Sequence, residues 1–186
     1  ASLNYNPFSS TALTGVVGAL YEPLFYMNNL KDDPTKLEPL MGKSYTISDD
    51  AKTIDVTIRD GEKWSDGEPY TAEDVAYTFN LLNSNKALNT GGFAGSAEVL
   101  SDTEVRITLD KPESVNALSY LSGTMIVPKH VWEKIDDPVT YTNKDAVGSG
   151  PFTVKGGNFS QPLTRLRRIR TTGMKVSLKL MASVMF

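Results

Sequence analysis

The chain has 186 residues, 40% of them apolar, no cysteine and a formal charge of −3. That length allows one or two compact domains. The lack of cysteine excludes disulfides and thiolate metal sites, and no run of about 18 apolar residues suggests a membrane-spanning helix. The charge is divided: residues 1–161 hold 13 Lys and Arg against 22 Asp and Glu, whereas residues 162–186 hold six basic residues and no acid.

Ser2 to Pro7 reads as an extended start with loop-forming Asn and Pro. Over Thr11 to Phe25, Leu13, Val16, Val17, Leu20 and Leu24 fall at helical spacings, which predicts a helix ended or bent by Pro23. A strand is expected within Leu37–Ile47, turning at Ser48-Asp49-Asp50 into Thr53–Arg59. There Ile54, Val56 and Ile58 alternate with polar residues, the period of a half-buried strand.

Asp60-Gly61 and Asp66-Gly67 mark two tight turns. Thr71 caps a helix, with Asp74 as a short form of the capping-box acid and Glu73 also suited to the positive helix end. Val75, Phe79 and Leu82 give that helix its core stripe. Asn83 to Gly95 reads as a Gly-rich loop around Phe93. Ala97–Leu100 and Thr103–Leu109 form a second hairpin, with Val105, Ile107 and Leu109 inward.

A short helix containing Val115, Leu118 and Leu121 comes after Pro112. Met125–Val127 is strand-like, and Pro128 opens a helix through Ile135 with His130 in its first turn. Gly148–Pro151 turns the chain into a strand over Phe152–Lys155.

One histidine without cysteine does not make a transition-metal cage. A Ser-His-Asp triad would need His130, and no Gly-x-Ser-x-Gly elbow accompanies it. The acid pairs Asp49-Asp50 and Asp136-Asp137 lie in turns, where carboxylates act as solvated caps more often than as a general acid and base. Gly91-Gly92-Phe93-Ala94-Gly95 lacks the Lys-Ser/Thr ending of a phosphate loop.

Several segments, in order, carry a resemblance: ASLNYNPF, LYEPLFYMN, SDDAKTIDVTIRDGEKWSDGEPYTAEDVAYTFNLL, TEVRITLDKP, IVPKHVWEKI and GSGPFTV. Across residues 1–161 the chain resembles extracytoplasmic solute-binding protein family 5, the binding proteins of peptide, oligopeptide and nickel ABC importers. The resemblance implies an α/β fold of the type II periplasmic binding protein kind. The chain would hold part of the first lobe, with a mixed sheet and an additional hairpin subdomain. It implies noncovalent binding between two lobes, no catalysis, no cofactor, and a membrane permease as partner.

A periplasmic or surface-anchored location and a monomeric complete protein are implied by the same likeness. The residues show no export signal, and the sequence opens as if inside a domain. Peptide is the expected ligand, oligosaccharide the runner-up.

The candidate ligand-binding residues are Asn6 and Phe8 in the first loop, Tyr21 and Glu22 at the expected helix end, Trp64 and Phe93. Glu22 would pair with a peptide ammonium and Phe93 would stack. Each has a plainer reading: helix capping for Tyr21 and Glu22, packing over the two turns for Trp64, a mobile surface loop for Phe93.

The tail from 162 to 186 supports three readings. It is a nucleic-acid or membrane-binding module, a plain basic segment (a helix packed on the acidic body or a disordered arm), or an out-of-frame translation equivalent to losing one base near Gln161. Codons exist for which the shifted frame reads FNAFEKNPNYWDEGKPKVDGFRYV, which resembles the same family's sequence C-terminal to GSGPF. The out-of-frame reading is the expectation, so no nucleic-acid partner is expected. A hydrolase using paired carboxylates stays open, to be favoured by an Asp or Glu with a strongly raised pKa in a pocket.

Overall fold

The structure, a computed structural model, describes residues 3–30, 33 and 36–154. The basic tail lies outside the described residues.

Six strands and three α-helices are named among the described residues. Strands β1 (Phe25–Tyr26) and β2 (Glu38–Pro39) make a short ladder. Strands β3 (Gly42–Ile47), β4 (Thr53–Ile58), β5 (Gly95–Ser101) and β6 (Glu104–Leu109) form a sheet in the order β3-β4-β6-β5. The helices are α1 (Ala72–Ser84), α2 (Ser114–Gly123) and α3 (Lys129–Trp132).

Both expected hairpins form, β3–β4 and β5–β6, and β4 pairs with β6 between them. The resemblance implied a mixed sheet; every pairing among these named strands is antiparallel. The period-two reading holds in detail. Ile54, Val56 and Ile58 are buried on one face, as are Val105, Ile107 and Leu109. On the other face Asp55 stands opposite Arg106 and receives both Nε and Nη2 at 2.8 Å. Helix α1 covers the core side of β5 and β6, burying Val75, Phe79 and Leu82 as its stripe requires.

The join between β4 and α1 is a single hydrogen-bonded unit. Both Asp-Gly turns form, with Gly61 and Gly67 at positive φ. Thr71 and Asp74 make the expected capping box. The buried Asp74 carboxylate accepts from three donors: the Thr71 backbone N–H (2.9 Å), the Trp64 indole Nε1–H (3.0 Å) and the Lys129 backbone N–H (2.9 Å). The last of these fastens α3 to the start of α1. Around it, Lys129 Nζ reaches Glu73 at 2.7 Å and His130 Nε2 reaches Asp66 at 2.8 Å.

Three expectations are corrected. Thr11–Phe25 is not a helix. It holds one wide turn, Val16–Leu20, with Gly15 and Gly18 at φ 92° and 85° and Val17 extended. Two left-handed positions within four residues break an α-helix. Val16, Leu20 and Leu24 are nevertheless buried, so the apolar spacing reported burial and not periodicity.

The expected strand at Phe152–Lys155 forms no ladder over its described residues, Phe152–Val154. Instead Gly150 and Phe152 donate backbone N–H groups to Leu20 and Ala19 at 2.8 and 3.0 Å. A Cβ at Gly148 or Gly150 would run into the carbonyl oxygens of Leu20 and Ala19, which explains glycine at both positions.

Met125–Val127 is buried and extended, outside any ladder. Ile126 N–H bonds the Glu22 carbonyl (3.3 Å) and Val127 N–H bonds Thr78 Oγ1 (3.1 Å). In α2 the inward face is Ala117, Tyr120 and Leu121, and Val115 is 78% exposed.

Replacing Asp74 by Ala strands a buried indole N–H and two backbone N–H groups, a loss of about 3 kcal/mol or more. Glu73→Gln breaks an exposed ion pair and changes stability by less than about 0.5 kcal/mol. Denaturant midpoints monitored by tryptophan fluorescence check the contrast. Equal, small shifts would remove Asp74 from its central place.

Candidate functional site

The six candidate residues do not gather in one place. Phe8 and Phe93 share one cavity of about 190 Å³ between the first loop, the segment after α1 and helix α2. Phe8 is half-buried and meets Trp132 edge to face at 5.5 Å. Phe93 is 3% exposed and lies edge-on to Phe79 (4.9 Å) and Tyr120 (5.4 Å). Its backbone is clasped by Asn89, whose amide oxygen accepts from Phe93 N–H at 2.8 Å and whose amide nitrogen donates to its carbonyl at 2.6 Å. Phe93 thus serves as a core residue with one face to the cavity.

The other four do not line that cavity. Asn6 is buried with both ends of its amide engaged. Nδ2 donates to the carbonyls of Pro138 (2.9 Å) and Tyr141 (3.0 Å), and Oδ1 accepts from Phe8 N–H (3.0 Å). This bridge sets the first loop, and so Phe8, against residues 138–141. Trp64 is buried with its indole on Asp74 and its ring 4.8 Å from Tyr70. Tyr21 is fully buried, its hydroxyl accepting from Asn143 Nδ2 at 2.7 Å; burial pushes its phenol far up.

Tyr21 closes the wide turn, its backbone N–H donating to the Val16 carbonyl at 3.0 Å, and Glu22 comes just after it. Its N–H bonds Ser149 Oγ (3.2 Å) and its carbonyl accepts from Ile126. The residue is 8% exposed, and its carboxyl makes no hydrogen bond within the described residues. Burial pushes it up to about 7; the charge of Glu62 adds to this and Arg59 opposes it. Beside it stands a residue that sequence reasoning missed. The Tyr70 hydroxyl is buried with no hydrogen-bond partner among the described residues, its titration raised by burial and by Asp74 and Glu22.

The cavity wall also holds Val17, Leu88, Tyr120 and Met125. Val17 carried a signal, an apolar residue three before Leu20 in a helical reading; the break at Gly18 turns it outward, 54% exposed.

Of the two conditions set for a hydrolase, Glu22 meets the raised pKa. The Asp74 carboxyl, also raised by burial, is fully occupied by its three donors. Asp50 and Asp137 are turn caps held low by hydrogen bonds to Ser48 and Thr140.

Comparison with known proteins places this geometry. Residues 36–165 match the bacterial extracellular solute-binding proteins, family 5, and the chain belongs to that family. Its members are substrate-binding proteins of ABC importers rather than enzymes, and they work outside the cytoplasm. A peptidoglycan-binding protein of Agrobacterium fabrum is 31% identical over 81% of this chain and 26% of its own length. A putative ABC transporter peptide-binding protein of Brucella ovis is 32% identical over 80% of this chain and 29% of its own.

Among solved structures, a periplasmic oligopeptide-binding protein of Thermotoga maritima superposes with a TM-score of 0.73, at 30% identity over 83% of this chain and 29% of that one. The same protein has been solved with mannohexaose bound. The fold is the type II periplasmic binding protein α/β fold. The chain spans between a quarter and a third of the length of the curated relatives named here.

Glu22 also makes stability depend on pH. Its folded value, about 7, lies above the ordinary 4.5. The folded state therefore holds the proton more tightly, and Glu22's contribution is fully kept below 4.5 and lost as pH rises toward 7. Glu22→Gln should match the parent near pH 4 and exceed it by about 2–3 kcal/mol at pH 8. Unfolding midpoints at the two pH values read this directly; a variant no more stable at pH 8 would show that the carboxylate has a partner.

Proposed function

We propose that residues 1–161 are part of the first lobe of an extracytoplasmic substrate-binding component of an ABC importer, binding peptides noncovalently and without catalysis. A membrane permease is the partner and no cofactor takes part. Lobe closure shifts a population when a ligand bridges both lobes. Residues 162–186 are read as out-of-frame translation, and coding DNA incompatible with the shifted frame would overturn that part.

The observation that favours peptide is Glu22: a buried carboxyl whose acceptor capacity no described residue uses. Such a group suits an ammonium, which restores to the carboxylate the hydrogen bonds burial removed. Oligosaccharide is the second reading, because the Thermotoga relative holds mannohexaose and aromatic faces suit sugars.

Calorimetric titration of the chain with a cationic tripeptide, its N-acetylated form and mannohexaose separates the readings. Peptide affinity should rise about tenfold from pH 6 to pH 8 as Glu22 ionises, and Glu22→Gln should abolish that rise. Tighter binding of mannohexaose, independent of pH, would favour the sugar reading.

A further inference from the structure

The cavity shared by Phe8 and Phe93 has a chemistry of its own, and its interpretation rests on the peptide-binding reading. Its volume, about 190 Å³, is below the roughly 300 Å³ at which pockets take a whole small ligand. It exceeds the roughly 150 Å³ of a cavity that holds benzene. It therefore fits one ring-bearing side chain.

None of its lining residues is charged. Its larger polar side chains are already committed: Asn89 at both ends to the Phe93 backbone, and the Tyr120 hydroxyl to Glu113 at 2.8 Å. A sugar ring placed there would bring hydroxyls in from water to a wall with few free partners, at a cost. An aromatic side chain brings none.

The walls also supply the geometry rings prefer. Phe93 and Tyr120, both in the lining, stand at 90° to each other, and Phe8, also in the lining, is set at 78° to Trp132 behind it. A further ring between them extends both edge-to-face series.

We propose that this cavity, walled by Phe8, Val17, Phe93, Tyr120 and Met125, is a specificity subsite for an aromatic side chain of a peptide ligand. The subsite is separate from Glu22, which is not among its lining residues.

The test uses the full chain with ¹³C-methyl methionine, the Met125 signal assigned through Met125→Leu. The probes are N-acetyl-phenylalaninamide, N-acetyl-alaninamide and methyl α-mannoside. The phenylalanine probe should move the Met125 methyl, with affinity about tenfold or more above the alanine probe. Val17→Trp fills the mouth from an exposed position and should abolish the shift, with the buried Met41 methyl unmoved as a sign of an intact core. A Met125 signal untouched by the phenylalanine probe, or moved equally by the mannoside, overturns the subsite.

A phenylalanine-containing tripeptide separates the two levels. If the amide moves Met125 and the tripeptide binds no tighter, the aromatic subsite stands and the peptide reading fails. If the tripeptide binds with Met125 unmoved, the subsite fails and the peptide reading stands.

Discussion

One buried carboxylate organises this part of the molecule. Asp74 draws an indole from the turn segment, a backbone N–H from its own N-cap and a backbone N–H from α3 to one pair of oxygens. Desolvation disfavours the charge and the three donors hold it. The balance is what makes the arrangement specific, since an uncharged side chain of the same size could not accept all three bonds. Because Lys129 lies at the end of the run that starts at Met125, the position of α3 also fixes the extended stretch beside the cavity.

From there the site is assembled by backbone bonds between segments far apart in sequence. Thr78 on α1 holds Val127, Ile126 reaches the Glu22 carbonyl, and Ser149 takes the Glu22 N–H. Gly150 and Phe152 close on Leu20 and Ala19. Glu22 is thus buried by its backbone's position between two other segments. Its carboxyl is carried into a low-dielectric place without a hydrogen-bond partner among the described residues, and that combination gives it an interest a surface glutamate lacks.

The regular parts of the fold were legible in the residues. Alternation marked β4 and β6, Asp-Gly marked both turns, and Thr71 with Asp74 marked the start of α1; each depends on neighbours within a few positions. The parts that were not legible depend on distant partners. Leu20 and Leu24 are buried at helical spacing, yet the carbonyls of Ala19 and Leu20 are taken by Phe152 and Gly150, far along the chain, and Gly15 and Gly18 forbid the helix. In α2 the buried positions are Ala117, Tyr120 and Leu121, a face that packing and not the local sequence selects. Of the candidate residues, Phe8 and Phe93, chosen for their places in loops, line the same cavity. Tyr70 stayed hidden because the missing partner of its hydroxyl exists only in three dimensions.

The central claim is that Asp74 makes the turn segment, α1 and α3 one cooperative unit. Native-state hydrogen exchange measures it most directly. The Trp64 indole N–H and the Thr71 and Lys129 amides should exchange with one shared opening free energy, at the level of the β4 core amides. Exchange of the Lys129 amide at a much lower opening energy, with Trp64 still protected, would show α3 moving on its own and would contradict the account.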